Sequence, residues 1–358
     1  MRAAVLHTIG QRELEVRDDV EAVGFGPGRV RVRIRATSLC HSDLSAMSGV
    51  LPQQAPFVPG HEGAGEVVEV GEGVADLAVG DRVALCWMAP CGRCPHCRRG
   101  QGHLCTASLV GLGTPSFRIG GGIDAFGFYN TGTFAEEVVV AAEAALKVPA
   151  DLPYELAALL GCGVTTGLGA AVNTARVEPG ASVAVIGAGG VGIAAVQGAR
   201  IRGAGRISVV DPVASRRERA LAFGATDVLA PDELKAAAKG LPSGGYDYVF
   251  EAVGRAETVR AGYGAARRGG AVVVVGAGAR DDLAQFSMAE LFYNEKRLLP
   301  SLYGGAEVTR TIALAIELWR SGRLDLAGML THRVPLAEVN RALEQMRGGE
   351  ALRTVIEC

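Results

Sequence analysis

The sequence predicts an α/β protein of two domains, a β-barrel-like domain followed by a doubly wound parallel sheet. Three observations predict it. The chain has 358 residues, enough for roughly two domains at about 100–200 residues each. Residues 1–150 read as short strands broken by glycine. After Asp151 apolar runs alternate with amphipathic segments, as parallel strands joined by helices do.

The elements follow in order. Val30–Ala36 reads V-R-V-R-I-R-A, the period-2 alternation of a half-buried strand. Glu66–Val70 and Val138–Ala141 also read as strands, with breaks at Gly24–Gly28, Gly71–Gly73 and Gly120–Gly122. Thr106–Gly132 lacks apolar periodicity and is expected to be a surface loop. Glu155–Leu160 and Thr166–Ala175 are helical. Val183–Ile186 is a continuous apolar run, as expected of a parallel strand buried on both faces. A helix at Val191–Arg202, a strand at Ile207–Val210, a helix at Ser215–Phe223 and a short strand at Asp227–Leu229 follow. Then come a strand at Tyr248–Glu251, a helix at Thr258–Ala266 and a strand at Ala271–Val275. From about Tyr303 the chain is expected to return to the first domain, with a helix at Val308–Ser321 and a strand at Thr354–Glu357.

Composition narrows the function. Lys+Arg 36 against Asp+Glu 38 gives a net charge of −2, with no basic run for nucleic acid or anionic lipid. Met1–Leu14 carries charges throughout and no apolar core, unlike a signal peptide. No stretch approaches the roughly 20 apolar residues of a membrane span. A cytoplasmic protein with a small-molecule partner is expected.

Two local motifs carry chemistry. Cys91, Cys94, Cys97 and Cys105 form C-x2-C-x2-C-x7-C, and four thiolates in one loop suit a closed, structural Zn²⁺ shell. Gly187-Ala188-Gly189-Gly190-Val191-Gly192 is G-x-G-x-x-G, placed between a strand and a helix. There Gly187 permits the turn, Gly189 lets the backbone approach a pyrophosphate, and Gly192 packs helix on sheet. Asp211, at the end of the next strand, can accept ribose hydroxyls and repels a 2′-phosphate. That favours NAD over NADP, although Arg216 and Arg217 lie close enough to tolerate phosphate. An open zinc site needs three protein ligands. Its candidates, Cys40, Cys86, Cys162, Cys358 and the histidines, are too scattered for spacing alone to select.

Taken together, these motifs resemble the zinc-dependent medium-chain alcohol dehydrogenases over essentially the whole chain. The segment Gly60-His61-Glu62-x-x-Gly65-x5-Gly71-x2-Val74 fits that family's zinc signature. The four-cysteine loop, the run Gly161–Gly167, the fingerprint with Asp211, and Gly349…Arg353-Thr354 fall in the family's order. The segment after Cys105 and Glu251–Gly254 are most similar to the animal-type and thiol-dependent formaldehyde dehydrogenase branch. The resemblance implies a GroES-like catalytic domain (1–163 and 304–358) and a Rossmann cofactor domain (164–303). It implies two Zn²⁺ per chain, NAD, a homodimer or homotetramer, and hydride transfer between a primary alcohol and the cofactor. Cys40, His61 and Cys162 would bind the catalytic zinc, with Glu62 behind it and Asp43 orienting His61. Ser42 would hold the substrate oxygen. His41 and Arg353 would contact the pyrophosphate. Thr166, Val191, Gly276 and Ala277 would lie near the nicotinamide, with Gly190 and Val253 as further cofactor contacts. Leu51, Trp87, Phe128, Tyr129 and Leu302, with Ala277, would form the substrate wall.

The sequence departs from the family at two places. A histidine that ends the proton relay in many animal-type members is here Ser45. Thiol-adduct enzymes carry an arginine soon after the structural cysteines, whereas Thr106–Ser116 contains no Arg or Lys and Arg118 is the nearest. A glutathione- or mycothiol-dependent formaldehyde dehydrogenase is therefore the alternative reading. A relative that binds zinc and nucleotide without turnover is the third.

Overall fold

The computed structural model describes every residue except Gly111 and Glu350. The chain divides into two compact units, residues 1–162, 307–309 and 326–358, and residues 163–306 and 310–325.

The first unit is built on the ten-residue strand Arg29–Ser38. It pairs antiparallel with Gly63–Val70, with Glu137–Ala141, and through Ala36–Ser38 with Arg353–Glu357. Arg82–Leu85, Ala145–Lys147 and Leu330–Pro335 complete a seven-stranded sheet. The alternation read from the sequence is realised. Val30, Val32, Ile34 and Ala36 are buried, while Arg31, Arg33 and Arg35 point outward and pair with Glu69, Glu137 and Glu66 on neighbouring strands. Apolar burial on one face and cross-strand ion pairs on the other pin the register, because a one-residue slip would bury the arginines.

The segment 106–132, expected to be a surface loop, carries regular structure among its described residues. It contains strands Phe117–Ile119 and Ile123–Gly127, which join Val20–Ala22 and Phe57–Val58 in a four-stranded sheet. Strands this short bury too few residues to leave a pattern. Phe117, Ile119 and Ala125 enter the core.

The second unit holds six parallel strands in the order Asp227–Leu229, Arg206–Val210, Ser182–Ile186, Tyr246–Glu251, Ala266–Val274, Arg297–Pro300. This is the 3-2-1-4-5-6 order of a Rossmann sheet. Its direction of winding reverses between Ser182–Ile186 and Tyr246–Glu251, and in open sheets of this kind ligands bind beyond the strands' carboxyl ends at such a switch point. The helix Gly163–Gly169 passes into a π-helical turn over Ala170–Thr174. The helix Val308–Arg320 lies mostly with this second unit, whereas the reading of the sequence returned the chain to the first domain from residue 304 onward. Asn173 donates to Thr311 Oγ1 (3.1 Å), and Gln197 exchanges hydrogen bonds with the Asp325 backbone (2.8 and 3.1 Å). Polar anchors of this kind leave no trace in hydrophobic periodicity. Among the described residues no helix is long and apolar enough to cross a membrane.

Candidate metal centres and nucleotide crevice

Cys91, Cys94, Cys97 and Cys105 converge, their sulfurs all within 4.8 Å of one another. The local backbone explains how. Cys94 caps the short helix Pro95–Arg98, its sulfur accepting from Cys97 N–H at 3.4 Å. Cys91 and Cys105 accept from Cys94 and Cys91 N–H, also at 3.4 Å. Hydrogen bonds to sulfur favour thiolate. The Cys97 N–H pulls the Cys94 thiol down to about 6, while burial and the Cys94 sulfur push Cys97 up to about 12.

A second cluster joins residues far apart in sequence. Cys40, His61, Glu62 and Cys162 are all buried, with one donor atom from each within 4.8 Å of the others. Asp43 organises it from the helix His41–Met47. One of its oxygens accepts from Cys40 N–H (3.0 Å). The other accepts from Gly60 N–H (3.0 Å) and lies 3.1 Å from His61 Nδ1. Gly60 adopts φ +90°, and a Cβ there would meet Thr133 and Phe134 at 2.5 Å, so only glycine brings its N–H to Asp43. With Nδ1 committed to Asp43, His61 Nε2 faces the sulfurs. It is buried and has no hydrogen-bond partner among the described residues. Two sulfurs and one imidazole nitrogen with an unpartnered, buried lone pair fit zinc.

The electrostatics favour a cation there. A hydrogen bond from the Cys162 thiol, with the charges of His61 and Arg353, holds the Cys40 thiol well below its ordinary value. Burial opposes charge on His61, but Asp43 and the Cys40 thiolate hold its pKa well above the usual range. Burial lifts Glu62 to about 7 against the pull of Arg353. Arg353, only 3% exposed, donates to Glu62 Oε1 at 3.1 Å and to Leu39 O at 3.4 Å. The structure therefore joins it to this cluster. His41 is exposed at the start of its helix. Ser42 Oγ lies 3.8 Å from Cys40 Sγ.

Aromatic rings flank His61. Tyr129 stacks on Trp87 (centroids 4.5 Å apart) and on Phe128 (4.2 Å). Phe128 and Tyr129 meet the imidazole edge-on at 5.2 and 5.7 Å. Tyr129 and Asn130 both adopt positive φ, +50° and +60°, a strained pair of the kind that clusters at functional sites. Sequence reasoning named Tyr129 but had no signal for that backbone. Phe128 is buried in the core and Leu51 packs against the same core. Leu302 is 46% exposed on the second unit.

On the second unit, the fingerprint turn sits at the switch point. Gly187 has φ +98°, and a Cβ on Gly192 would lie 1.8 Å from Gly187 O. Gly189 precedes the helix Gly190–Ile201 with open space around its missing side chain, as close approach of a pyrophosphate requires. Asp211 is buried. Its carboxylate accepts from Ala188 N–H and Val213 N–H, both 2.9 Å away, which ties it to the fingerprint turn. Arg217 is held by the carbonyls of Asp211 and Pro212, and Arg216 is half-buried beside it. Val253, Gly276 and Ala277 follow the carboxyl ends of Tyr246–Glu251 and Ala266–Val274. Thr166 and Val191 lie on the helices Gly163–Gly169 and Gly190–Ile201. Cys86 is buried, its thiol pushed up to about 12 by desolvation, and stands outside both metal clusters.

Comparison with known proteins agrees with both halves. Residues 26–150 match the family model "Alcohol dehydrogenase GroES-like domain", and residues 190–318 match "Zinc-binding dehydrogenase". The S-(hydroxymethyl)glutathione dehydrogenase of Synechocystis sp. is 37% identical over 369 residues, covering 99% of each chain. Among solved structures, benzyl alcohol dehydrogenase from Acinetobacter calcoaceticus superposes with a TM-score of 0.92 at 30% identity, over 99% of this chain and 98% of that one. A zinc-binding dehydrogenase from Sinorhizobium meliloti bound to NADP gives 0.82 at 26% identity, over 100% and 99%.

Proposed function

This chain belongs to the zinc-dependent medium-chain alcohol dehydrogenases, and on that footing we propose that it exchanges a hydride between a primary alcohol (aliphatic, allylic or aromatic) and NAD. The observation that carries the proposal is the buried quartet Cys40, His61, Glu62 and Cys162, with His61 Nδ1 held by Asp43. Cys40, His61 and Cys162 would hold a catalytic zinc, and the four-cysteine loop a structural one. A zinc held at the first site would supply Lewis acidity toward the substrate oxygen.

The protein's own groups do the rest. Asp43 fixes the imidazole tautomer, so that Nε2 presents its lone pair. Ser42, one side chain from Cys40, accepts the hydroxyl proton of the substrate and passes it outward. Glu62 is paired with Arg353, so the sulfurs of Cys40 and Cys162 would be left to balance a metal's charge. Trp87 and Tyr129 form an apolar, aromatic wall that excludes water and favours flat or slender alcohols. The glycine turn and helix Gly190–Ile201 would seat the pyrophosphate, and Asp211 the adenosine ribose, which supports NAD over NADP. A nicotinamide held there would supply the hydride acceptor, and the chain's own part is to hold the alcohol and take its hydroxyl proton as the aldehyde forms.

Thiol-adduct oxidation is the second reading, favoured by the 37% identity to an S-(hydroxymethyl)glutathione dehydrogenase. Against it, Thr106–Ser116 offers no cation, and Arg118 is exposed and faces Asp124 at 3.7 Å. The oligomer we infer is a homodimer. Its contact is the outer strand Arg297–Pro300, paired on one side only and accompanied by exposed Met288, Phe292 and Tyr293, an edge that invites a second copy. A cytoplasmic setting fits this reading, because cysteines that hold zinc must stay reduced. The deciding experiment is a steady-state panel of primary, allylic and aromatic alcohols with NAD and with NADP, alongside zinc content per chain. Two zincs and turnover of benzylic alcohols with NAD are expected. Formaldehyde oxidation that needs glutathione or mycothiol, without alcohol turnover, would move the assignment to the second reading.

A further inference from the structure

Glu251 is a buried carboxylate that the mechanism above does not use. It ends the strand Tyr246–Glu251 at the switch point and is fully buried. Its Oε1 accepts three hydrogen bonds, from Val253 N–H (2.9 Å), Gly254 N–H (2.8 Å) and Thr258 Oγ1 (2.7 Å). Its backbone carbonyl accepts two more, from Val275 N–H (2.8 Å) and Gly276 N–H (3.0 Å). Oε2 is buried and has no hydrogen-bond partner among the described residues. One residue thus binds the turn after its own strand to the turn after the neighbouring strand.

These two turns sit against the fingerprint. The Val253 side chain reaches within 2.9 Å of where a Cβ on Gly187 would stand. A Cβ on Gly276 would lie 2.1 Å from Gly254 N, and one on Gly254 2.7 Å from Ala277 O. Packing this close leaves no slack, so the position of Val253, Gly276 and Ala277 follows that of Glu251. A charged acceptor for three donors is stronger than a neutral one. An unmatched carboxylate oxygen in a buried position is costly, and such a cost persists in a fold when the group serves function.

We propose that Glu251 is a positioning residue for the nicotinamide half of the dinucleotide, acting through the clamped turns 252–254 and 275–277. The proposal rests on the dinucleotide reading given above. Strand order separates the two halves of the ligand. Asp211 follows the strand on one side of Ser182–Ile186, and Glu251 ends the strand on the other. A dinucleotide lying across the switch point puts adenosine toward Asp211 and nicotinamide toward Glu251.

The test measures NADH and ADP binding to wild-type, Glu251→Gln and Thr258→Val holoenzyme by fluorescence and calorimetry, with steady-state kinetics on an alcohol that the wild type turns over. Glu251→Gln keeps the shape and removes the charge. NADH binding is expected to weaken about tenfold, the scale of one good hydrogen bond, with KM for NAD rising in parallel. ADP affinity should stay within about twofold, because its contacts lie on the other side of the switch point. Thr258→Val, which removes one donor, should shift NADH the same way by less, and it decides the matter if Glu251→Gln does not fold. NADH affinity unchanged in both variants, or NADH and ADP weakened equally, would overturn the proposal. Failure of the wild type to bind NADH would instead overturn the dinucleotide reading itself.

Discussion

Asp43 does more for the second metal cluster than its place outside the donor set suggests. It fixes Cys40 through the backbone, Gly60 through the turn and His61 through Nδ1. Asp43→Asn turns one acceptor oxygen into a donor facing donors. Zinc affinity, read by chelator competition, should fall about 10- to 100-fold, the usual penalty for losing a partner behind a ligand; unchanged affinity would deny Asp43 that role. Ser45 makes a second residue-scale case. It stands three residues after Ser42 on the helix His41–Met47, and residues at that spacing share a face. Ser45→His puts a titratable acceptor at the outer end of that face. The acid limb of the kcat/KM profile should move to lower pH. An unmoved profile would mean that the proton leaves by another route.

At the scale of elements, what was legible depended on burial. Val30–Ala36 and Val183–Ile186 were readable because one or both faces are apolar without interruption. Arg297–Pro300 left no apolar run because it is an outer strand, three of whose four residues are exposed. The fingerprint turn was readable because glycine is forced there by contact distances. The polar ties that hold neighbouring strands were not. Asp247 is one such tie. One of its oxygens accepts from Ser182 N–H and Oγ (2.8 and 2.7 Å), the other from Arg267 Nε (2.6 Å), which joins the starts of three adjacent strands. Burial pushes its pKa up, but the bonds from Arg267 and Ser182 outweigh it and hold the carboxyl below the usual range. A depressed carboxylate stabilises the fold above its unfolded pKa, and that contribution is lost as pH falls through the folded value. Wild type should therefore lose stability between about pH 4 and 3 more steeply than Asp247→Asn. Urea melts across that range read it directly, and parallel acid limbs would count against it.

For the whole molecule, the two metal clusters differ in how a sequence can reveal them. The four cysteines lie within one short loop, and their spacing alone announces them. Cys40, His61 and Cys162 are gathered only by the fold, and family resemblance rather than spacing pointed to them. Their independence can be tested. Replacing Cys97 and Cys105 together by Ser should leave one zinc per chain and lower the melting temperature. Replacing Cys162 by Ser should abolish alcohol turnover while the loop keeps its metal. Loss of both metals in either variant would show that the sites are not separate.

The pairing of Arg353–Glu357 with Ala36–Ser38 also has a temporal consequence. Leu39, just before Cys40 of the buried quartet, donates its N–H to Thr354 O at 2.9 Å, and Arg353 reaches back across 314 residues to the Leu39 carbonyl. During synthesis the second unit's sheet leaves the ribosome before this strand exists. Closing contacts of such long separation are slow to form. The Cys40 segment therefore gains its last backbone tie, and Glu62 its Arg353 partner, only when the C-terminal strand closes onto Ala36–Ser38, so the quartet is completed late in folding.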